Sequence, residues 1–283
     1  MAPFKSIFQP SAAAPKSLVF QQSAGVYLRD QFPLSTWLLL GASLQALISI
    51  LLPKTAIYLS TCLFAILAYY LANTMLQVYG VIPNPEMARV IPGKASVQLP
   101  DLHGNMPSTE PTKESVVVMF LSSKSNHPLR MLAPGFKEVG DYFQDMMQSL
   151  DNPEGREKYG FLGMSSYLGS QSASSNELLS ISYWRNIEGI HAFAESPVHR
   201  VAWDYWNQTV KKHPYLLISH EIYRAEGTQH ENIYINAPPT LIGGTAFPVK
   251  TKQEQEWLNP LVEANKGVLA TSNGRLGRRP AHK

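Results

Sequence analysis

Two uncharged apolar runs stand almost back to back near the start of the chain: LSTWLLLGASLQALISILL, Leu34 to Leu52, and AIYLSTCLFAILAYYLANTMLQV, Ala56 to Val78. A helix needs about 20 mostly apolar residues to cross the hydrocarbon core of a bilayer, and each run is of that order. Only Pro53, Lys54 and Thr55 separate them, which permits a tight helical hairpin with both ends on one side of the membrane. The alternative for the pair is a buried soluble hairpin. The first run, with Ser, Thr and Gln inside it, also fits a re-entrant or interfacial segment. A cleaved leader fits poorly, because residues 1–33 precede the first run and the second follows at once.

Basic residues set the expected orientation. Lys5, Lys16 and Arg29 precede the runs, Arg89 and Lys94 follow them, and Lys54 alone sits in the connecting turn. By the positive-inside tendency both termini face the cytosol, on a membrane of endoplasmic-reticulum type. The net charge of +3 is too small to argue for nucleic acid. The late cluster Arg275, Arg278, Arg279 and Lys283 reads as a basic tail, or as a weak membrane-surface contact. The single cysteine, Cys62, lies inside the second run, so neither a disulfide framework nor a thiolate metal site is expected.

Composition divides the remainder. Residues 1–33 form an N-terminal cytosolic segment, 34–78 the two-helix anchor, and 79–115 a proline-rich linker or an arm lying over a surface. Residues 116–250 carry the periodic patterns of a folded domain. Val116 to Ser122 is a β-branched strand, and Phe136 to Leu150 puts Phe136, Val139, Phe143, Met146, Met147 and Leu150 at helical spacing. Phe161 to Ser170 and Leu178 to Trp184 read as two strands. Asn186 to Glu195 and Val198 to Lys211 read as helical pieces kinked at Ser196-Pro197, and Leu216 to Glu226 as a last strand.

The order β-α-β-β-α-β is that of a ferredoxin-like α+β domain, an antiparallel four-stranded sheet with both helices on one face. The other face is expected to be covered by a second copy, giving a dimeric α/β barrel, because four strands expose too large an apolar surface to leave wet. His230 to Gly244 reads as an arm that either swaps across such a pair or lies over its own domain. Residues 251–283 are expected to give one short helix, KQEQEWLNPLVEAN, and the basic tail.

There is no Gly-rich phosphate loop, dinucleotide fingerprint, nucleophile elbow or histidine-carboxylate set at metal spacing, so neither cofactor nor metal is expected. Two strands break their own apolar pattern. In SISYWR the pleat puts Leu178, Ser180, Ser182 and Trp184 on one face, suited to a cavity wall. Leu179, Ile181, Tyr183 and Arg185 lie on the other, suited to packing on the helices. In LLISHEIYRAE, His220-Glu221 interrupts an apolar strand, a place where functional residues are expected. A neutral imidazole there can take a proton from a phenol, enol or quinol. The alternative is a histidine satisfied by a structural partner. The stripe His199, Trp203, Trp206 reads mainly as core and edge, although His199, close to a helix start, could face a ligand mouth. His191 reads as structural.

The stretches SYWRNIEGIHAFAESPVHRVAWDYW and HEIYRAEGTQHENIYINAPP resemble the fungal, membrane-anchored branch of the antibiotic-biosynthesis-monooxygenase-like proteins, over roughly Val116 to Pro239. The resemblance implies a dimeric α+β barrel that adds oxygen to hydrophobic polyketide or terpenoid substrates without flavin or metal, in secondary metabolism. The partners it implies are the apolar substrate, O2, the membrane and a second copy. On this reading His220 is the general base, Trp184 a wall and orienting group, Glu221 the partner of His220 or a dimer contact, and Tyr223 or Arg185 a donor. Tyr183 and His199 complete the expected substrate-binding set. Two alternatives stand beside it: a haem-dependent lyase or dehydratase with His220 or His199 as axial ligand, and a membrane-tethered carrier or scaffold without activity.

Overall fold

The computed structural model describes residues 3–17, 24–108, 110–250 and 255–278. Arg279 and Lys283 of the expected tail, and the start of the expected C-terminal helix, lie outside them. A short helix α1 (Ala24–Asp30) leads into α2 (Leu34–Leu51) and α3 (Pro53–Val78). Pro53 takes the first position of α3, where its missing N–H costs nothing and its fixed φ suits a helix. The two long helices pack as a hairpin joined by a hydrogen bond from Gln45 to Ser60 (2.9 Å). Both are long and apolar enough to cross a membrane, and nearly all their side chains stay exposed.

The folded domain follows with β1 (Ile91–Val97), β2 (Val116–Ser125), α4 (Phe136–Leu150), α5 (Pro153–Tyr159), β3 (Phe161–Leu168) and β4 (Leu178–Trp184). Then come α6 (Ile187–Ala194), α7 (Pro197–Thr209), β5 (Leu216–Ala225), β6 (Tyr234–Ala237), β7 (Phe247–Lys250), β8 (Gln255–Leu258), β9 (Leu261–Glu263) and α8 (Ser272–Arg275). The main sheet is antiparallel in the order β3-β4-β2-β5. This is the ferredoxin-like order, and β5 is left at one edge. Local chemistry sets the corners. The Asn152 and Asn186 carboxamides cap α5 and α6 by accepting from Gly155 and Gly189 (2.9 and 2.8 Å), and Gly160 turns out of α5 at φ 65°, a left-handed conformation cheap only for glycine.

The helical face carries one core: Val117, Phe161, Trp184 and Met164 from the sheet against Met147, Leu150, Tyr159, Ile190 and Phe193. Trp184 is 2 % exposed, and its ring meets Phe161 edge-on at 5.1 Å and Phe193 at 6.2 Å. The expected facing of β4 is therefore reversed. The serine face packs on the helices, and the Tyr183 face looks away. The serines are tolerated there because they are satisfied in place. Ser166 and Ser180 share a hydrogen bond (2.8 Å), and the Trp184 indole donates to Ser182 (2.9 Å).

The second face is covered in its lower half by the chain itself. A three-stranded sheet, β6-β1-β9, brings Ala95, Val97, Leu99 and Leu261 together with Phe247 and Ile242 onto Val116, Leu162 and Tyr183. The segment expected as a linker thus contains a core strand, and the expected arm, His230 to Gly244, pairs with β1 of its own chain through β6. A second copy is not needed to cover this part. The expected C-terminal helix is instead two short strands, β8 on β7 and β9 on β1, turned at Asn259-Pro260. A residue before proline is disfavoured in helix, and the Asn259 side chain holds the turn through Leu261 N–H and the carbonyls of Gly243 and Thr245.

Both flanks of the hairpin are tied to the domain. Residues 3–17 run along it, with Ile7 N–H donating to Leu261 (2.8 Å), Ser11 exchanging backbone bonds with Trp257, and Pro15 accepting from Arg156 (2.7 Å). At the root of α2, Asp30 receives the N–H (2.7 Å) and side-chain amide (2.8 Å) of Asn176, and Gln31 receives Met131 N–H (3.1 Å). The Arg130 guanidinium lies 5.1 Å from the centre of the Phe32 ring.

Candidate active site

The pleat of the edge strand β5 sends successive side chains to opposite faces. Opposite residues in the register share a face, so His220 stands with Leu121, Ser180 and Ser166 on the helical side, while Glu221 stands with Phe120 and Ile181 on the other. Glu221 therefore cannot be the hydrogen-bond partner of His220 that adjacency in sequence allowed.

On the helical side His220 is exposed. His199, two residues into α7, sets its ring edge-on to Phe193 at 5.8 Å, and its buried Nδ1 has no hydrogen-bond partner among the described residues. Burial holds the His199 imidazole below its ordinary pKa; the Ala194 carbonyl opposes this and the charge of His220 adds to it.

On the other side, in the upper half of the sheet that the second layer leaves open, lies a groove of about 290 Å³. Phe120, Leu179 and Tyr167 form apolar walls; Ser122, Ser219, Glu177 and Glu221 supply polar groups; Gly169 and Gln171 form a rim, and His220 borders it. Ser122 and Ser219 share a hydrogen bond (2.6 Å) across the strands. The Tyr223 phenol donates to Glu221 (2.5 Å) and meets Phe120 edge-on at 5.9 Å. That hydrogen bond raises the Tyr223 pKa. Tyr167 bonds Thr240 (3.1 Å) at the floor. Beneath it the Tyr183 phenol is pushed far up by burial, with Tyr234 and Tyr167 adding. Tyr234 is pushed up to about 12 by burial against the opposing Gly243 N–H, so both phenols stay protonated.

Of the expected site residues, the fold puts Glu221 in the groove with Tyr223 bonded to it, and His220 at its border with its side chain on the helical side, the side of His199. Trp184 is core. Tyr183 is floor rather than lining. Arg185 is spent on packing, donating to the Pro100 carbonyl (3.0 Å) with its guanidinium 4.5 Å from the centre of the Phe247 ring. Phe120, Ser122, Tyr167, Glu177, Leu179 and Ser219 were missed. A signal existed for Ser122, where the β2 apolar run turns to serine, but Glu177 sits in a loop whose approach only the fold creates.

The sequence profile of the family described as monooxygenase af470-like matches residues 116–242, the span that builds the main sheet, the helices on its one face and the groove. The chain is 33% identical over 255 residues to a monooxygenase af470 of Aspergillus fumigatus, covering 89% of this chain and 90% of the relative. The chain belongs to the monooxygenase af470-like family. As an af470-like monooxygenase it is an oxidoreductase. Solved structures resemble it partially. SnoaB, a cofactor-independent oxygenase from Streptomyces nogalater, is 10% identical with a TM-score of 0.26, covering 39% of this chain and 91% of that one. A putative antibiotic biosynthesis monooxygenase from Caulobacter crescentus is 9% identical with a TM-score of 0.27, covering 40% and 91%. An aldoxime dehydratase is 15% identical with a TM-score of 0.39, covering 53% of this chain and 42% of that one. Likeness at that level bears on neither the reaction nor the site of the af470-like chain.

Proposed function

We propose that this af470-like protein is a membrane-anchored, cofactor-independent monooxygenase acting on a hydrophobic polyketide or terpenoid intermediate of fungal secondary metabolism. The observation that carries the reading is the groove on β5: apolar walls from Phe120, Leu179 and Tyr167 beside acid-base groups at Glu177, Glu221, Tyr223 and the bordering His220. His220, on the helical side of the exposed β5 edge, removes a proton from an activated methylene or a phenol hydroxyl of a substrate that reaches round that edge, leaving a carbanion or a phenolate that reacts at carbon. The resulting anion passes electrons to O2 and combines with it as a hydroperoxide, which loses water to leave a carbonyl. One oxygen atom enters the product and the other leaves as water, and the substrate supplies all four electrons, so no external reductant is required. The Tyr223 O–H, held by Glu221 in the free protein, turns from that carboxylate to the developing oxyanion when substrate is bound.

Membrane anchoring is supported by the way both hairpin flanks pack on one domain. Residues 3–17 and residues after 79 lie on the same body, so the chain between them crosses a bilayer an even number of times. Two spans fit the two long apolar helices, with the domain on the cytosolic face of an endoplasmic-reticulum membrane. A homodimer is supported by the exposed edge strand β5, where Ile218 and Tyr223 face solvent, and by the exposed Val201 and Trp203 of α7.

Oxygen uptake by the purified protein with enolisable polyketides, run for the native chain and for His220→Ala, tests the reading. The expected loss is about 10²-fold or more, the usual contribution of a positioned general base. Unchanged uptake in His220→Ala removes the base role.

A further inference from the structure

One end of the domain combines features that the catalytic reading leaves unused. The loops 126–135, 169–177 and 210–215 all leave the sheet at the same end, and the root of α2 is bonded to two of them. Asp30 and its carbonyl hold Asn176 and Ser175 (2.7 Å each from the backbone N–H groups), and Gln31 and Phe32 hold Met131 and Arg130. Arg130 and Ser175, at these contacts, are two of the four non-glycine residues with positive φ among the described residues (54° and 55°). Such strain persists where surroundings over-determine it. The third loop is stapled to the first by Asn126 N–H to the Tyr215 carbonyl (2.8 Å) and by the Tyr215 hydroxyl to Pro134 (3.1 Å).

This end is also apolar and basic on its outside. Leu129 and Leu132 are 57 % and 74 % exposed, a large apolar outlay for a loop facing bulk water. The same end carries exposed Lys211 and Lys212, on the 210–215 loop, and Arg29, next to the α2 root. Apolar tips together with lysine and arginine at one end are the chemistry of a surface resting in the interfacial zone of an anionic leaflet. The loop 169–177 also supplies Gly169, Gln171 and Glu177 to the groove.

We propose that this end is a second, peripheral contact with an anionic bilayer: Leu129 and Leu132 enter the interface, Arg29, Lys211 and Lys212 meet lipid headgroups, and the groove mouth at 169–177 is held at the membrane surface. An apolar substrate then passes from the leaflet to the groove without crossing bulk water. This rests on the hairpin being a membrane anchor, and the test separates the two.

A nitroxide is placed on Ala173→Cys in a Cys62→Ser background, and separately on native Cys62, with the full chain reconstituted in vesicles of phosphatidylcholine with and without phosphatidylserine. The Cys62 label reports the anchor and the Ala173 label the contact. The expected result is a Cys62 label shielded from a water-soluble nickel chelate in both vesicles, and an Ala173 label shielded several-fold in anionic vesicles only. Lys211→Glu with Lys212→Glu is expected to release the Ala173 label, weakening the contact about fivefold or more per lysine, and Leu129→Ser with Leu132→Ser to release it likewise, with Cys62 still shielded and the circular dichroism unchanged. A shielded Cys62 with an Ala173 label as accessible as in water overturns the contact and leaves the anchor standing. Accessibility at both overturns both.

Discussion

His220 lies on a strand where its neighbours in sequence and its neighbours in space differ. The break in the β5 apolar pattern was legible from residues alone, but the partner was not. Glu221, adjacent in sequence, faces the groove with Tyr223, whereas the His220 side chain leaves the strand on the helical side. Two half-buried histidines make stability depend on pH. His199 and His230 are both held by burial below the ordinary 6.5, so the unfolded chain takes up protons on them first as the medium is acidified. Their contribution is present above about pH 6.5 and is lost as the pH falls from there. The melting temperature is expected to drop between pH 7.5 and 5.5, and His199→Phe with His230→Asn to flatten that slope. An unchanged slope in the double variant would contradict the assignment.

At the scale of elements, the strands and helices of the ferredoxin-like unit were readable because each is long and keeps one period. The pieces that were misread are short. In 255–263 the apolar residues Trp257, Leu258, Leu261 and Val262 fall at helical spacing, yet they serve strands β8 and β9 around Asn259-Pro260. The facing of β4 was misread for a different reason. Serines at 180 and 182 look like a wet wall, and hydroxyl bonding within the sheet allows them a dry one. Trp184→Ala is accordingly expected to cost about 3–5 kcal/mol in a denaturant titration, the range for removing a large core ring. A cost near zero would return Trp184 to the cavity.

The Asp151–Arg156 pair, nearly fully buried, joins α5 to the N-terminal arm through Pro15 and Ser17. Arg156→Met leaves the Asp151 carboxylate buried and unpaired. The expected loss is about 3–5 kcal/mol, accompanied by release of residues 3–17 to fast hydrogen exchange.

For the whole molecule, the sequence marked a hairpin and a domain as successive parts, whereas the fold inserts the hairpin into the domain. Strand β1 follows α3 and returns to the core, and residues before α1 pack on the same body. Neither was legible, because β1 lies in a proline-rich stretch without clear alternation and the arm has no regular element to announce it. One consequence is checkable in sealed microsomes. A cysteine at Lys54 is expected to react with an impermeant maleimide only from the lumenal side, and one at Ala173 only from the cytosolic side. Reaction of both from one side would contradict the two-span arrangement.

The chemistry itself is tested most directly with isotopic oxygen. The reconstituted protein, stripped of added flavin, nicotinamide and metal, is incubated under ¹⁸O2 with enolisable polyketides, and product and water are analysed by mass spectrometry. One ¹⁸O atom in the product carbonyl and one in water, abolished in His220→Ala, is the predicted result. Product without label, or label only when a cofactor is supplied, would contradict a cofactor-independent monooxygenase.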